Sequence, residues 1–148
     1  MVETAWSAVL TFTLGAQIYG LSIEAVVEVA AMVELVQMPD APPALLGMMN
    51  RRGVILPMLD LRQVFNQAVV APISTTTLFI VAAHDQHMAG LVVDEIRQVE
   101  YVNLSQQTVT SGKYIHGIIN HKGHLIQIIA LPAILAAFLP QLAAIKGI

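Results

Sequence analysis

The chain has 148 residues and a net charge of −3, with 56% hydrophobic and 11% charged residues. That is the usual size of one domain, long enough to bury a sizeable core and too poor in charge for disorder. Seven Lys and Arg stand among ten acids with no basic run, so no nucleic-acid partner is expected, and the absence of cysteine removes disulfides, thiolate metal sites and a Cys nucleophile together.

Met1-Val2-Glu3-Thr4 carries no basic n-region, so no signal peptide is expected. The apolar run 9–14, a turn at Gly15-Ala16-Gln17 and the run 18–21 predict a β-hairpin. Ser22 is placed to start one short helical turn through Val26. Residues 47–50, a turn near Arg52-Gly53 and the run 54–59 predict a second hairpin. Asp60 can cap a short helix from Leu61 to Phe65, with Gln63 at the capping-box position. The segment 66–77 holds Pro, Ser and Thr and no acid or base, which makes it the natural boundary between two halves. A hairpin follows from 78–82, a turn at 84–86 and 88–93, and 120–123 turns another. Pro132 suits the first turn of a helix running to Leu139. The uncharged stretch 125–145 approaches the roughly 20 residues of a membrane span. It is interrupted by Gln127, Pro132, Pro140 and Gln141, and no membrane insertion is expected. Many short strands with glycine turns imply small barrels or a sandwich.

The chain also repeats itself. Gly47-Met48-Met49-Asn50-Arg51-Arg52-Gly53 lies over Gly117-Ile118-Ile119-Asn120-His121-Lys122-Gly123 at an offset of 117 − 47 = 70. The same offset places Gly20-Leu21 on Gly90-Leu91, Glu24 on Asp94 and Leu61 on Leu131. Residues 18–61 and 88–131 therefore read as equivalent parts of two related units. The expected organisation is one domain over 1–148. Its first barrel-like half spans about 9–65 and its second about 78–131, with a helix at 132–139 and a tail packing back.

Catalytic motifs are not apparent. There is no glycine-rich phosphate loop and no Gly-x-Ser-x-Gly elbow. His84-x-x-His87 and His121-x-x-His124 fall in predicted turns and read as solvated residues rather than metal ligands. Asp60 and Arg62 read as a helix cap and a surface cation rather than an acid/base pair. Lys113 and Tyr114 begin a predicted strand, and Met48, Met49 and Met58 read as core fillers. Neither an enzyme nor a cofactor is expected.

Three runs carry a family resemblance. Phe12 to Gly20 resembles F-x-L-G-x-x-x-Y-G. Pro42 to Leu61 resembles P-x-x-x-x-G-v-x-N-x-R-G-x-i-x-P-v-x-D-L, and Gly90 to Asp94 resembles G-l-V-V-D. These are signatures of the CheW-like domain, and the resemblance covers about 9–139. It implies an all-β fold of two SH3-like five-stranded barrels sharing an apolar core, with few short helices. It also implies a non-enzymatic adaptor, cytoplasmic and located at membrane-associated receptor arrays. Such an adaptor couples the cytoplasmic tip of a chemoreceptor to the regulatory domain of a CheA-type histidine kinase. By the same resemblance Val26, Glu28, Gly47, Arg52 and Gly90 match receptor-groove positions, Asn50 and Gly53 shape the groove turn, and Ile23 lies nearer the kinase contact. Arg51 stands where the family has an apolar residue. Adjacent residues of a strand point to opposite faces, so one of the two arginines is expected to face solvent, a partner or an acid. The departure leaves open a divergent chemosensory system, such as pilus motility; a kinase regulatory-domain fragment is the other alternative.

Overall fold

Strands of six to nine residues dominate, because the apolar runs are short, and four of the connections are two-residue turns that open on a left-handed residue, Gly15, Arg52, Asp85 or Lys122. The computed structural model describes residues 6–69, 72–108 and 112–139. The elements in chain order are β1 (Trp6–Leu14), β2 (Gln17–Ser22), β3 (Val26–Ala31), β4 (Leu45–Arg51), β5 (Val54–Asp60), α1 (Leu61–Val64), β6 (Leu78–His84), β7 (His87–Val92), β8 (Glu95–Asn103), β9 (Ile115–His121), β10 (His124–Ile129) and α2 (Leu131–Phe138), with 3-10 turns at Ile23–Ala25 and Leu104–Gln106.

The strands form two five-stranded sheets, one in the order β8-β1-β2-β10-β9 and the other in the order β3-β6-β7-β5-β4. Each curls until the chain beyond one edge strand, β3 or β8, reaches the other edge strand, β4 or β9. Val36 bridges to Met48 across one seam, and Thr108 to Ile118 across the other. The repeat is preserved in detail: β2 and β7, β4 and β9, and β5 and β10 start 70 residues apart. The Arg52-Gly53 turn has φ of 54° and 82°, and the Lys122-Gly123 turn 52° and 84°. Two successive positive φ values are what a type I′ hairpin turn requires.

One expectation is corrected. The barrels are not the contiguous halves 9–65 and 78–131. One barrel (barrel B) is built from the unbroken series β3 to β7, and the other (barrel A) combines β1 and β2 with β8, β9 and β10. The chain passes between barrels at 23–25 and 93–94, not at the polar segment 66–77. The cause is pairing: β2 runs parallel to β10 and β5 parallel to β7, so each barrel needs a strand from the other half of the repeat.

Packing follows from the alternation. In β6, Phe79 and Val81 point into barrel B with Met49, Leu56 and Met58, while Ile80 and Ala82 point to the layer between barrels. That central layer joins Phe12, Tyr19 and Leu21 of barrel A to Leu59, Ile80 and Leu91 of barrel B, and both helices add leucines to it. A third cluster, Val9, Val102, Ile119, Ile126 and Ile128, fills barrel A. The methionines at 49 and 58 are core fillers as expected.

The helices depart slightly from expectation. Asp60 does cap α1, accepting from the Arg62 amide at 3.0 Å, but the helix ends at Val64. Ser22 precedes its short turn without a side-chain capping bond. In α2 Pro132 sits in the first turn. Tyr114 precedes β9 rather than beginning it. Its ring meets those of Phe65 and Phe138, with the Lys113 ammonium 5.5 Å from its centre. Among the described residues no helix is long and apolar enough to cross a membrane; the far end of the 125–145 stretch lies outside them.

Candidate functional site

The site is the corner where β3 meets the β4–β5 hairpin. Along β3, Glu28 and Ala30 lie on the barrel-interior side and Val27, Val29 and Ala31 are exposed, while Val26, on the far side of a bulge, packs against the central layer. A bulge between Val26 and Glu28 shifts the pairing with β6 and aims the Glu28 carboxylate at the seam. Across the seam, Arg51 ends β4. Its Nε donates to Glu28 Oε2 at 3.1 Å and its Nη2 to Oε1 at 2.9 Å, a two-pronged contact between half-buried side chains. That geometry suits a planar guanidinium and is stronger than a neutral hydrogen bond. The Arg51 bonds hold the Glu28 carboxyl below its ordinary range; partial desolvation opposes them, and the nearby charges of Arg51 and Arg52 add to them.

Arg52 differs. It lies in the turn rather than on the strand, so the expected alternation of two arginines across a strand does not arise. Its φ is 54°, its side chain is 77% exposed, and its Nη1 stands 3.7 Å from Glu28 Oε2, beyond hydrogen-bond distance. Asn50 Oδ1 accepts from the Gly53 amide at 3.1 Å and holds the turn. Val54 and Ile55, just past the turn, are exposed. The corner thus presents a cation beside apolar surface.

Of the residues singled out in the sequence, Glu28, Asn50, Arg52 and Gly53 come together here, and Val26 lies on the same strand, half-buried against the central layer. Gly47 and Gly90 do not join this surface: both are buried. A Cβ on Gly47, at φ 154°, would stand 2.6 Å from the Val36 carbonyl oxygen, and one on Gly90 would run into the Met58 sulfur. Their local role is to admit close packing. Ile23 is exposed at the first crossing between barrels. Arg51, set aside in the sequence as a departure, is the residue that organises the corner.

A second expectation is corrected by Arg62. It is a buried residue, not a surface cation, 2% exposed. It donates to both Asp60 oxygens at 3.0 and 3.2 Å and to Asp94 Oδ1 at 3.3 Å. Asp94 Oδ2 in turn accepts from the Gly15 amide of the β1–β2 turn at 2.6 Å, so the cluster ties the barrels together. Bonding to Asp60 raises the Arg62 pKa, against desolvation, with Asp94 contributing less. This is structural chemistry, because Arg62 and Asp60 are buried with their buried polar atoms partnered, and only Asp94 reaches toward the surface.

The repeat supplies a counterpart to the Glu28 corner. His121, 70 residues after Arg51, meets Glu100 of β8 at 3.0 Å across the other seam, and Lys122 occupies the place of Arg52. The Glu100 carboxyl is held low chiefly by the Gln98 side chain, then by His121. Among the described residues no three His, Asp or Glu side chains converge as metal ligands.

The profile of the CheW-like domain matches residues 8–138. The chain belongs to the CheW-like domain family. Among its relatives, the chemotaxis protein CheW of Klebsiella aerogenes is 36% identical over 97 residues, 66% of this chain and 58% of that protein. The chemotaxis protein CheW of Bacillus subtilis is 26% identical over 133 residues, covering 85% of each. Among solved structures, the crystal structure of the scaffolding protein TtCheW from Thermoanaerobacter tengcongensis superposes with a TM-score of 0.76 at 28% identity, covering 84% of this chain and 88% of that one. The two SH3-like barrels expected from the family are the two sheets described above.

Proposed function

We propose that this CheW-like chain is a non-enzymatic adaptor in bacterial chemosensory signalling, cytoplasmic and held at membrane-associated receptor arrays. It couples a chemoreceptor tip to the regulatory domain of a CheA-type histidine kinase. The observation that carries the reading is the family match over 8–138 together with the likeness to a scaffolding CheW. The side-chain chemistry is compatible with it: among the described residues the ion pairs at the barrel seams and the junction cluster join charged groups only to one another. In this reading the receptor tip, a helical hairpin, seats against the corner formed by Val26, Glu28 and Arg52. Gly47 and Gly90 support it through packing, and Ile23 lies toward the kinase. The test is reconstitution with a purified receptor tip hairpin and a kinase regulatory domain. Binding to both, and a change in kinase autophosphorylation when all three are combined, is the expected result; binding to neither overturns the proposal.

A further inference from the structure

The Glu28 corner contains three formal charges, and their arrangement decides which of them a partner meets. Arg51 takes both Glu28 oxygens through Nε and Nη2. Arg52 stands 3.7 Å from Oε2, near enough for a charge interaction but not for a hydrogen bond, and its side chain remains 77% exposed on a turn that Asn50 and Gly53 hold in place. We infer that Arg51 is a specificity-determining residue: by occupying Glu28 it leaves Arg52 as the presented charge, so the receptor segment seated here offers a carboxylate beside apolar side chains. The inference rests on the proposed function and names one determinant of it.

The repeat provides an internal comparison. At the other seam His121 takes the place of Arg51 against Glu100. A histidine supplies a full positive charge only when protonated, whereas a guanidinium always does. The Arg51 corner therefore sums to one positive charge. The His121 corner, with its imidazole neutral, sums to none, although Lys122 sits in the same left-handed turn as Arg52. The exposed Val54 and Ile55 next to Arg52 add the apolar part of the recognised surface.

A charge cycle separates this arrangement from one in which Glu28 itself touches the receptor. The probe is a purified chemoreceptor tip hairpin, used beside a version whose acidic side chains are changed to amides. Glu28→Gln frees a second cation and should tighten binding about two- to fivefold, the range of single exposed charge pairs. Arg51→Gln releases Glu28 onto Arg52 and should weaken binding by a similar factor. The double variant restores a single presented cation and should bind as the parent does. Arg51→Lys, which cannot occupy both oxygens, should fall between. Lys122→Gln should leave binding unchanged. The gain in Glu28→Gln should disappear with the amide hairpin and shrink at high salt. Weaker binding by Glu28→Gln, or a gain that persists with the amide hairpin, overturns the inference while leaving the adaptor reading intact. A parent chain that binds no hairpin overturns the adaptor reading and this inference with it. Retained binding to the kinase regulatory domain reports that each variant is folded.

Discussion

The chain crosses between its barrels at 23–25 and again at 93–94, equivalent places in the repeat, and the two crossings are built differently. At the second, Asp94 is bound to buried Arg62, which is bound to Asp60. At the first, the equivalent positions hold Glu24, Pro132 and Ala130. Among the described residues Glu24 makes no ion pair, although grooves of similar size lie beside both crossings, about 460 Å³ at the first and 370 Å³ at the second. The backbone was duplicated faithfully and the polar filling was not. A buried ion cluster is stable only when all its members are present, because a member without its partners carries the full desolvation cost.

The largest effect should come from breaking the filled crossing. Arg62→Met leaves Asp60, 1% exposed, without its counter-ion, and should cost about 3–5 kcal/mol in urea denaturation. Glu24→Gln at the first crossing should stay within about 0.5 kcal/mol. Equal losses would mean that the crossings do not differ.

A smaller effect is expected where the two halves differ in backbone rather than charge. Gly47→Ala meets a main-chain oxygen at φ 154° and should cost about 1–3 kcal/mol. Gly117→Ala, 70 residues on, meets only the end of the Gln107 side chain, which can swing aside. Its cost should remain below about 1 kcal/mol. Chemical denaturation of the pair tests this, and a costlier Gly117→Ala would reverse the assignment.

The smallest effect is that of pH on the seams. Because the folded-state pKa of Glu28 is lowered from its ordinary 4.5, its contribution is present above that value and is lost as pH falls through the folded one. Arg51→Gln should remove this part of the acid sensitivity, seen as a flatter melting temperature below about pH 4.5. Unchanged acid sensitivity in Arg51→Gln would remove Arg51 as the cause.

The hairpins, the repeat and an all-β architecture of small barrels or a sandwich were legible because glycines, an asparagine and alternating apolar residues encode them locally, and the family resemblance supplied the choice of barrels. Strand exchange was not legible, since alternation says which face a residue takes and not which strand lies beside it. Arg62 read as a surface cation because arginine is seldom buried, and one of its acids is 32 residues away. At the site, family motifs located Glu28 and Arg52. Arg51 was noticed but its partner was not, because Glu28 lies 23 residues upstream on another strand. One signal was available: the offset that sets Arg51 on His121 also sets Glu28 on Gln98, two residues from Glu100.

The nested strand order also has a consequence for synthesis. Barrel B has all its strands once Val92 has left the ribosome, whereas barrel A, begun first, still lacks three strands at that point and gains the last only when Ile129 has been made. In that interval the β1–β2 hairpin has an unpaired edge on either side, a template for wrong pairing. Barrel B, emerging directly behind it, already offers the surface of Ile80, Leu91 and Leu59 on which Phe12, Tyr19 and Leu21 finally rest. The later-made barrel is thus positioned to shelter the earlier strands of its neighbour until β10 has been made.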